Sequence, residues 1–356
     1  MQLVAGVAAR SNAQATVPPE WSPKQWSSTH YALWLDASNG GSMLNSSGSA
    51  VANGQAIATW NDLSGNNQNL TQTDSTLRPI FAANAGSGTN AFGQTLSAAN
   101  FTRSMMTGTG ANTSYWKFMS DGSSQYTIFA VVKTGTTADP FSVDGANAAY
   151  GIVGTGNGAT AGIGMYLVYD DRSGRFDRLT AQIADGVLPV VLGNSQDNFW
   201  KPNQYQMVDF QFNVTSPSST PSYASYQSGS LTGTAGVRGD TPNTGNPTNF
   251  LQLGAIGSGT AAYLKGGFQE FIIYKGAISG SDRQLAEGYL AWKWGLQSQL
   301  SATSPYSPNN TNGYMVVVPE PVPVAMLTVC GLAGLGVVNH CRRRSRQRRS
   351  QGVLPL

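Results

Sequence analysis

The chain has 356 residues, enough for one large domain or two small ones. Charged residues make up 11% of it and glycine contributes 42 residues, against a usual charged share of roughly 25%, a mixture that predicts many short strands joined by turns. The net charge of +3 hides an asymmetry: six arginines lie between Arg342 and Arg349, and the 15 other basic residues face 18 acidic ones, so the chain before residue 341 carries −3. A nucleic-acid binder carries its basic patch on the folded domain, so DNA and RNA are excluded as partners.

Residues 1–29 read as a truncated signal segment followed by a Pro/Ser-rich arm. Leu3–Ala9 is apolar and Ala13-Gln14-Ala15 offers a small-x-small site, but no basic residue precedes them and Arg10 interrupts. A disordered arm is the alternative. A strand is expected over His30–Asp36, and Tyr126–Lys133, apolar on both alternating faces, reads as a central strand. Met165–Tyr169, Val187–Leu192, Phe250–Leu253 and Gly267–Tyr274 are further strands. Val208, Phe210, Phe212 and Val214 alternate with Asp209, Gln211 and Asn213, which predicts a half-buried strand with one wet face. Ser64-Gly65-Asn66, Asp121-Gly122 and Asp144-Gly145 mark turns.

After Ser279 the period changes. Leu285, Tyr289, Trp292 and Leu296 fall at helical spacing, and Ser279 with Asp282, or Ser281 with Gln284, would cap the start. The expected fold is all-β: a two-sheet jelly-roll sandwich over residues 30–300 with one short C-terminal amphipathic helix packed on a sheet. Residues 301–317 read as a polar linker, flexible by composition. Val322–Val338 then runs 17 residues without a charge, about 26 Å as a helix, the short end of the membrane-spanning range. Arg342, Arg343, Arg344 and Arg346 supply the cationic flank expected on the cytoplasmic side, and residues 350–356 form a tail.

Two resemblances follow from these residues. Pro319-Glu320-Pro321, a short apolar run and an arginine cluster resemble the PEP-CTERM sorting signal over residues 318–349. That implies an exosortase-type processing enzyme as partner, transient membrane anchoring, and delivery to the cell surface or extracellular matrix of a bacterium. Leu33-Trp34-Leu35-Asp36-Ala37, Thr59 to Asn67, Arg78-Pro79, Gly266 to Tyr274 and Glu287 to Leu296 together resemble the concanavalin A-like lectin/glucanase jelly roll in its laminin-G-like form. That resemblance implies the fold, with carbohydrate or protein binding among its functions. Trp34, Trp60, Trp292 and Trp294 are most simply core residues, and Asp62 with Ser64 and Gly65 most simply builds a tight turn.

Catalytic chemistry is poorly supplied. A retaining glucanase of this kind needs Glu, Asp and Glu at alternating positions of one strand, with two carboxyls about 5–5.5 Å apart. The four glutamates, Glu20, Glu270, Glu287 and Glu320, stand too far apart in sequence for that motif. Glu270 is most simply a polar position on an apolar strand. The two histidines, His30 and His340, and the two cysteines, Cys330 and Cys341, support neither a triad nor a zinc site. No metal or cofactor is expected. Calcium through Asp170, Asp171 and Asp177 is the alternative, countered by the interleaved Arg172, Arg175 and Arg178. Tyr115, Trp116 and Trp200 are candidate ligand-binding aromatics, because polar, loop-like residues surround them; packing of long loops onto the sandwich is the competing role. The expected function is binding of polysaccharide or a surface protein. A glycan-degrading hydrolase of the same fold and a structural surface protein are the alternatives.

Overall fold

A computed structural model of the chain describes residues 21–27, 29–85, 89–90, 94–109, 113–121, 124–135, 149–156, 163–170, 178–185, 189–194, 199–213, 222–232, 245–256 and 263–309. The strands in chain order are β1 (Tyr31–Asp36), β2 (Met43–Leu44), β3 (Thr59–Trp60), β4 (Leu70–Thr71), β5 (Ile80–Ala82), β6 (Ala98–Thr102), β7 (Met106–Gly108), β8 (Tyr126–Thr134) and β9 (Ala149–Gly154). They continue as β10 (Ile163–Asp170), β11 (Arg178–Asp185), β12 (Pro189–Asn194), β13 (Tyr205–Asn213), β14 (Ser222–Gln227), β15 (Ser230–Leu231), β16 (Gln252–Leu253) and β17 (Lys265–Lys275), followed by the helix α1 (Gly280–Lys293).

Two antiparallel sheets form a sandwich. The first runs β15-β14-β13-β8-β17-β6-β5, with β1 also paired to β17; the second runs β12-β11-β10-β9-β16-β7-β4-β3-β2. β8 lies near the middle of the first sheet, as its two apolar faces predict. Ile128, Ala130 and Val132 of β8, Phe210 of β13 and Phe268 and Phe271 of β17 share one core with Trp60, Leu70, Met106, Val153, Leu167 and Leu253 of the second sheet. A large apolar side chain contributes roughly 1.5–3 kcal/mol on leaving water, so these inward rows drive the assembly of strands that are often only two residues long. Gly254, at φ +81°, lies where a side chain would collide with the Phe101 ring from the opposite sheet, so glycine lets the layers close there.

The other face of the first sheet is covered, not wet. Register sets Asp209 opposite Phe129, Phe129 opposite Ile272, and Asp36 opposite Glu270, and this central part of the face lies under α1 and the N-terminal arm, while Ile80 and Leu231 on the edge strands stay exposed. Trp26 meets Phe129 and Tyr274, and Trp21 meets Tyr289 of the helix. Asp209 and Gln211 are therefore 0% and 7% exposed, correcting the half-solvated reading of β13. Alternation identified the two faces, but a strand cannot report that a helix roughly 75 residues downstream will cover one of them. A third layer results: sheet, sheet, helix.

The helix begins as expected, with the Ser279 hydroxyl accepting the Asp282 N–H at 3.0 Å. Asp282 in its first turn and Lys293 in its last suit the helix dipole. Gly295, at φ +71°, follows the C-cap Trp294 and ends it. The segment beyond differs from the flexible linker expected from residue 301. Ser301 N–H donates to Ser228 O, Trp292 Nε1–H donates to Tyr306 O at 2.9 Å, and Ser304 and Ser307 are buried. Residues 301–309 thus strap the helix. Residues 310–356 lie outside the described residues, and with them the expected membrane segment at 322–338. Among the described residues no helix is long and apolar enough to cross a membrane.

Candidate functional site

Under α1 the outward face of the first sheet carries two clusters of charge. In one, Asp36 at the end of β1 and Glu270 in β17 are register partners, and Lys293 in the last helical turn descends between them. Its Nζ donates to Asp36 Oδ2 at 2.6 Å, to Glu270 Oε2 at 2.7 Å and to the Tyr289 hydroxyl at 2.9 Å. Glu270 also accepts from Trp34 Nε1 at 2.7 Å, Trp294 Nε1 at 2.6 Å and the Tyr289 hydroxyl at 3.2 Å. Burial raises the Glu270 pKa while Lys293 opposes that rise. For Lys293, burial works against the charge and the two carboxylates outweigh it, leaving its pKa raised. Glu270 is thus far more than a polar position on an apolar strand. It is the hub joining Trp34 of β1 to Tyr289, Lys293 and Trp294 at the end of the helix.

In the second cluster Arg283 of α1 lies 3.7 Å from Asp209 Oδ2, bonds Glu287 one turn on, and stacks its guanidinium 3.8 Å over the Tyr226 ring. Asp209 and Glu287 are both 0% exposed. Two carboxylates against one guanidinium leave an excess of one negative charge in a dry site, which a bound proton relieves. Burial first, then for Glu287 the charge of Asp209, pushes both pKa values up, Asp209 to about 6. Converging acids therefore exist, but each pair is buried beneath the helix and already engaged by a cation from it. Their chemistry is to fix α1 in register on the sheet.

The second sheet has a different outward face. Its cross-strand register runs Leu44–Thr59–Thr71–Thr107–Gln252–Gly154–Tyr166–Gln182 through eight strands. The adjacent row, including Trp60, Leu70, Met106, Leu253 and Val153, points into the core. Thr59, Thr71, Thr107 and Gln182 are half-buried, and none of the eight positions is charged. At the centre Gln252 is 5% exposed and its Oε1 accepts no hydrogen bond. Gln252 Oε1 is itself buried, and an unmatched amide oxygen there costs roughly 1–3 kcal/mol, so turning the side chain toward a hydroxyl or amide donor above the row would be favourable. Sequence reasoning missed this row. Its signal was present in β3, β4 and β16, two-residue strands that each pair one apolar residue with one Thr or Gln.

The aromatics singled out in the sequence have other surroundings. Tyr115 and Trp116 lie on the 3-10 turn Thr113–Met119. Trp116 and Trp200 are each 1% exposed within the core, and Tyr115 is half-buried with its hydroxyl donating to Ala32 O at 2.9 Å. The two indoles therefore offer no face for stacking a sugar, because the loops that carry them use them as anchors. Trp34, Trp60, Trp292 and Trp294 are buried as expected. Asp62 builds its turn, accepting from Ser64 N, Ser64 Oγ, Gln68 N and Trp34 N. His30 stacks on Tyr274. Pro319, Glu320, Pro321, Arg342, Arg343, Arg344 and Arg346 lie outside the described residues, as do residues 171–177 of the calcium alternative. Among the described residues no three His, Cys, Asp or Glu side chains gather as a metal site.

No family model and no curated protein matches the chain. Among solved structures, an arabinofuranosidase complexed with arabinofuranosyl-alpha-1,2-xylobiose is similar at 15% identity and a TM-score of 0.43, covering 67% of this chain and 51% of that one. Domain 4 of a GH43 extracellular arabinanase from Geobacillus stearothermophilus, in complex with arabinotriose, gives 16% identity and a TM-score of 0.36, over 67% of this chain and all of that one. A Trypanosoma rangeli sialidase gives 12% and 0.43, over 79% of this chain and 36% of that one. The chain spans about half of the arabinofuranosidase and about a third of the sialidase. These are remote likenesses, and no residue role is transferred from them.

Proposed function

We propose that the chain is a non-catalytic binding domain of an exported bacterial protein, and that its ligand is a neutral glycan lying across the strands of the second sheet. The observation that carries this reading is the uncharged row that presents half-buried Thr59, Thr71, Thr107 and Gln182 outward around the buried, unpaired Gln252 amide oxygen. From Thr59 to Gln182 the row crosses six strand spacings, about 29 Å at ~4.8 Å each. Sugar hydroxyls are donors and acceptors at once, so they match threonine hydroxyls and glutamine amides. An acidic glycan finds no cation in the row. The closure of both acid pairs under α1 favours binding over hydrolysis. On this reading the domain is a concanavalin A-like, laminin-G-like jelly roll, and Pro319-Glu320-Pro321 directs an exosortase to deliver it to the cell surface or matrix.

The test is a glycan array probed with the full chain, followed by titration of the best neutral glycan into the Gln252→Ala variant. Retention on neutral polysaccharide that falls at least tenfold in the variant supports the reading. Failure to bind any glycan, or binding indifferent to Gln252, removes it. For sorting, the chain is expressed in a host with an exosortase and its C-terminus is followed by mass spectrometry. Loss of Arg342–Arg349 from the mature protein is expected, and their retention contradicts a removable tag.

A further inference from the structure

We propose that Lys293 and Asp36 condense to an intramolecular isopeptide bond, with Glu270 as the proton-transferring catalytic residue. Lys293 Nζ lies 2.6 Å from Asp36 Oδ2 and 2.7 Å from Glu270 Oε2, and the two acid side chains are 8% and 0% exposed. The ammonium turns inward among aromatic rings, 5.9 Å from the Trp34 centroid and 5.2 Å from those of Tyr289 and Trp294. Amide formation in water is opposed by water itself. Here the amine and the acid are held in contact in a nearly dry, apolar-walled site, the setting in which positioning most favours reaction.

The two acids are not equivalent. Asp36 Oδ1 accepts from Ser38 N–H at 2.8 Å and Ser38 Oγ–H at 2.6 Å. These two fixed donors stabilise the charge that develops on that oxygen when nitrogen attacks Cγ. Oδ2, facing Nζ, is then the leaving oxygen. Glu270 is pinned at both oxygens by Trp34, Trp294 and Tyr289, so it is held for proton transfer and not as the carbon that reacts.

The step balances without oxidant or cofactor. Nζ forms a bond to Asp36 Cγ and the Cγ–Oδ2 bond breaks. Of the three protons on the ammonium, one stays on the amide nitrogen and two pass through Glu270 Oε2 to Oδ2, which departs as water. Glu270 ends as it began, still bonded by two indole N–H groups and a phenol that need no charge on Lys293. One buried positive and one buried negative charge disappear, which relieves the desolvation that a buried ion pair retains. The bond would join the first strand to the last helix across 257 positions, a covalent clamp in a chain with no cysteine before Cys330.

The test is peptide mapping of the folded, purified full chain by mass spectrometry. The expected result is a branched species joining the peptides that contain Asp36 and Lys293, lighter than their sum by one water and uncut by trypsin after Lys293. On a denaturing gel the wild type runs faster than Lys293→Arg, which keeps the charge but does not form the bond. Glu270→Gln, checked for folding by near-UV circular dichroism, is expected to lose the branched species from most molecules. Recovery of both wild-type peptides unlinked and at full mass overturns the proposal, as does a bond mapped to Glu270. A wild-type level of branching in Glu270→Gln overturns the role given to Glu270.

Discussion

Replacing Asp209 with asparagine should flatten a pH dependence of stability that the wild type displays between pH 5 and 7.5. Asp209 is sealed beneath α1 beside Glu287, and its pKa is lifted to about 6 from an ordinary 3.8, by burial above all and against the pull of Arg283. A carboxyl whose pKa is higher in the folded than in the unfolded chain binds its proton more tightly when folded. Its stabilisation is therefore complete below pH ~4 and is lost as pH rises through about 6. The full span is roughly 3 kcal/mol, of which about half remains at pH 5 and almost none at pH 7.5. For a domain of this size that is a Tm higher by roughly 3–6 °C at pH 5 than at pH 7.5. Asparagine mimics the protonated acid and cannot titrate, so its Tm should change less across the window by that amount. Scanning calorimetry of both proteins at the two pH values checks this. Equal slopes in wild type and variant, or a wild-type slope shallower than the variant's, would refute the shared-proton reasoning.

Asp62→Ala removes four hydrogen bonds that close the turn after β3 and hold Trp34 N–H; urea denaturation should show a loss of about 2–3 kcal/mol. Ser279→Ala deletes the helix cap and should cost ~1 kcal/mol in the same assay. Gln269 sits at the β17 bulge, 0% exposed with neither side-chain polar atom bonded, so Gln269→Leu should stabilise by about 1–2 kcal/mol. Ending the chain after Leu300 instead of Asn309 strips Trp292 Nε1 of its acceptor and should lower the urea midpoint, by an amount equivalent to ~2 kcal/mol or more.

Much of the fold was legible because its signals are local. The double apolar face of Tyr126–Lys133, the alternation of β13, the cap at Ser279 and the Asx turn at Asp62 each state their geometry within a few residues. The chemistry was not legible because its partners are distant. Asp209 reads as solvated until Arg283 and Glu287 arrive on a helix, and Glu270 reads as a lone polar residue until Lys293, Trp34 and Trp294 converge on it. Thr59, Thr71, Thr107 and Gln252 of the row were divided among strands of two or three residues, each too short to display period-2 alternation by itself. Polar neighbours misled in the opposite direction at Trp116 and Trp200, where loop composition suggested exposure and the indoles are buried in the core.

The glycan reading stands or falls on Gln252. Titration calorimetry of a neutral polysaccharide into wild type, Gln252→Ala and Trp200→Phe, with reducing ends assayed in the same samples, separates binding at the second sheet from binding at loop aromatics and from hydrolysis. Saturable binding without new reducing ends, weakened at least tenfold by Gln252→Ala and unchanged by Trp200→Phe, is the predicted result. Binding untouched by Gln252→Ala, or steady release of reducing ends, contradicts it.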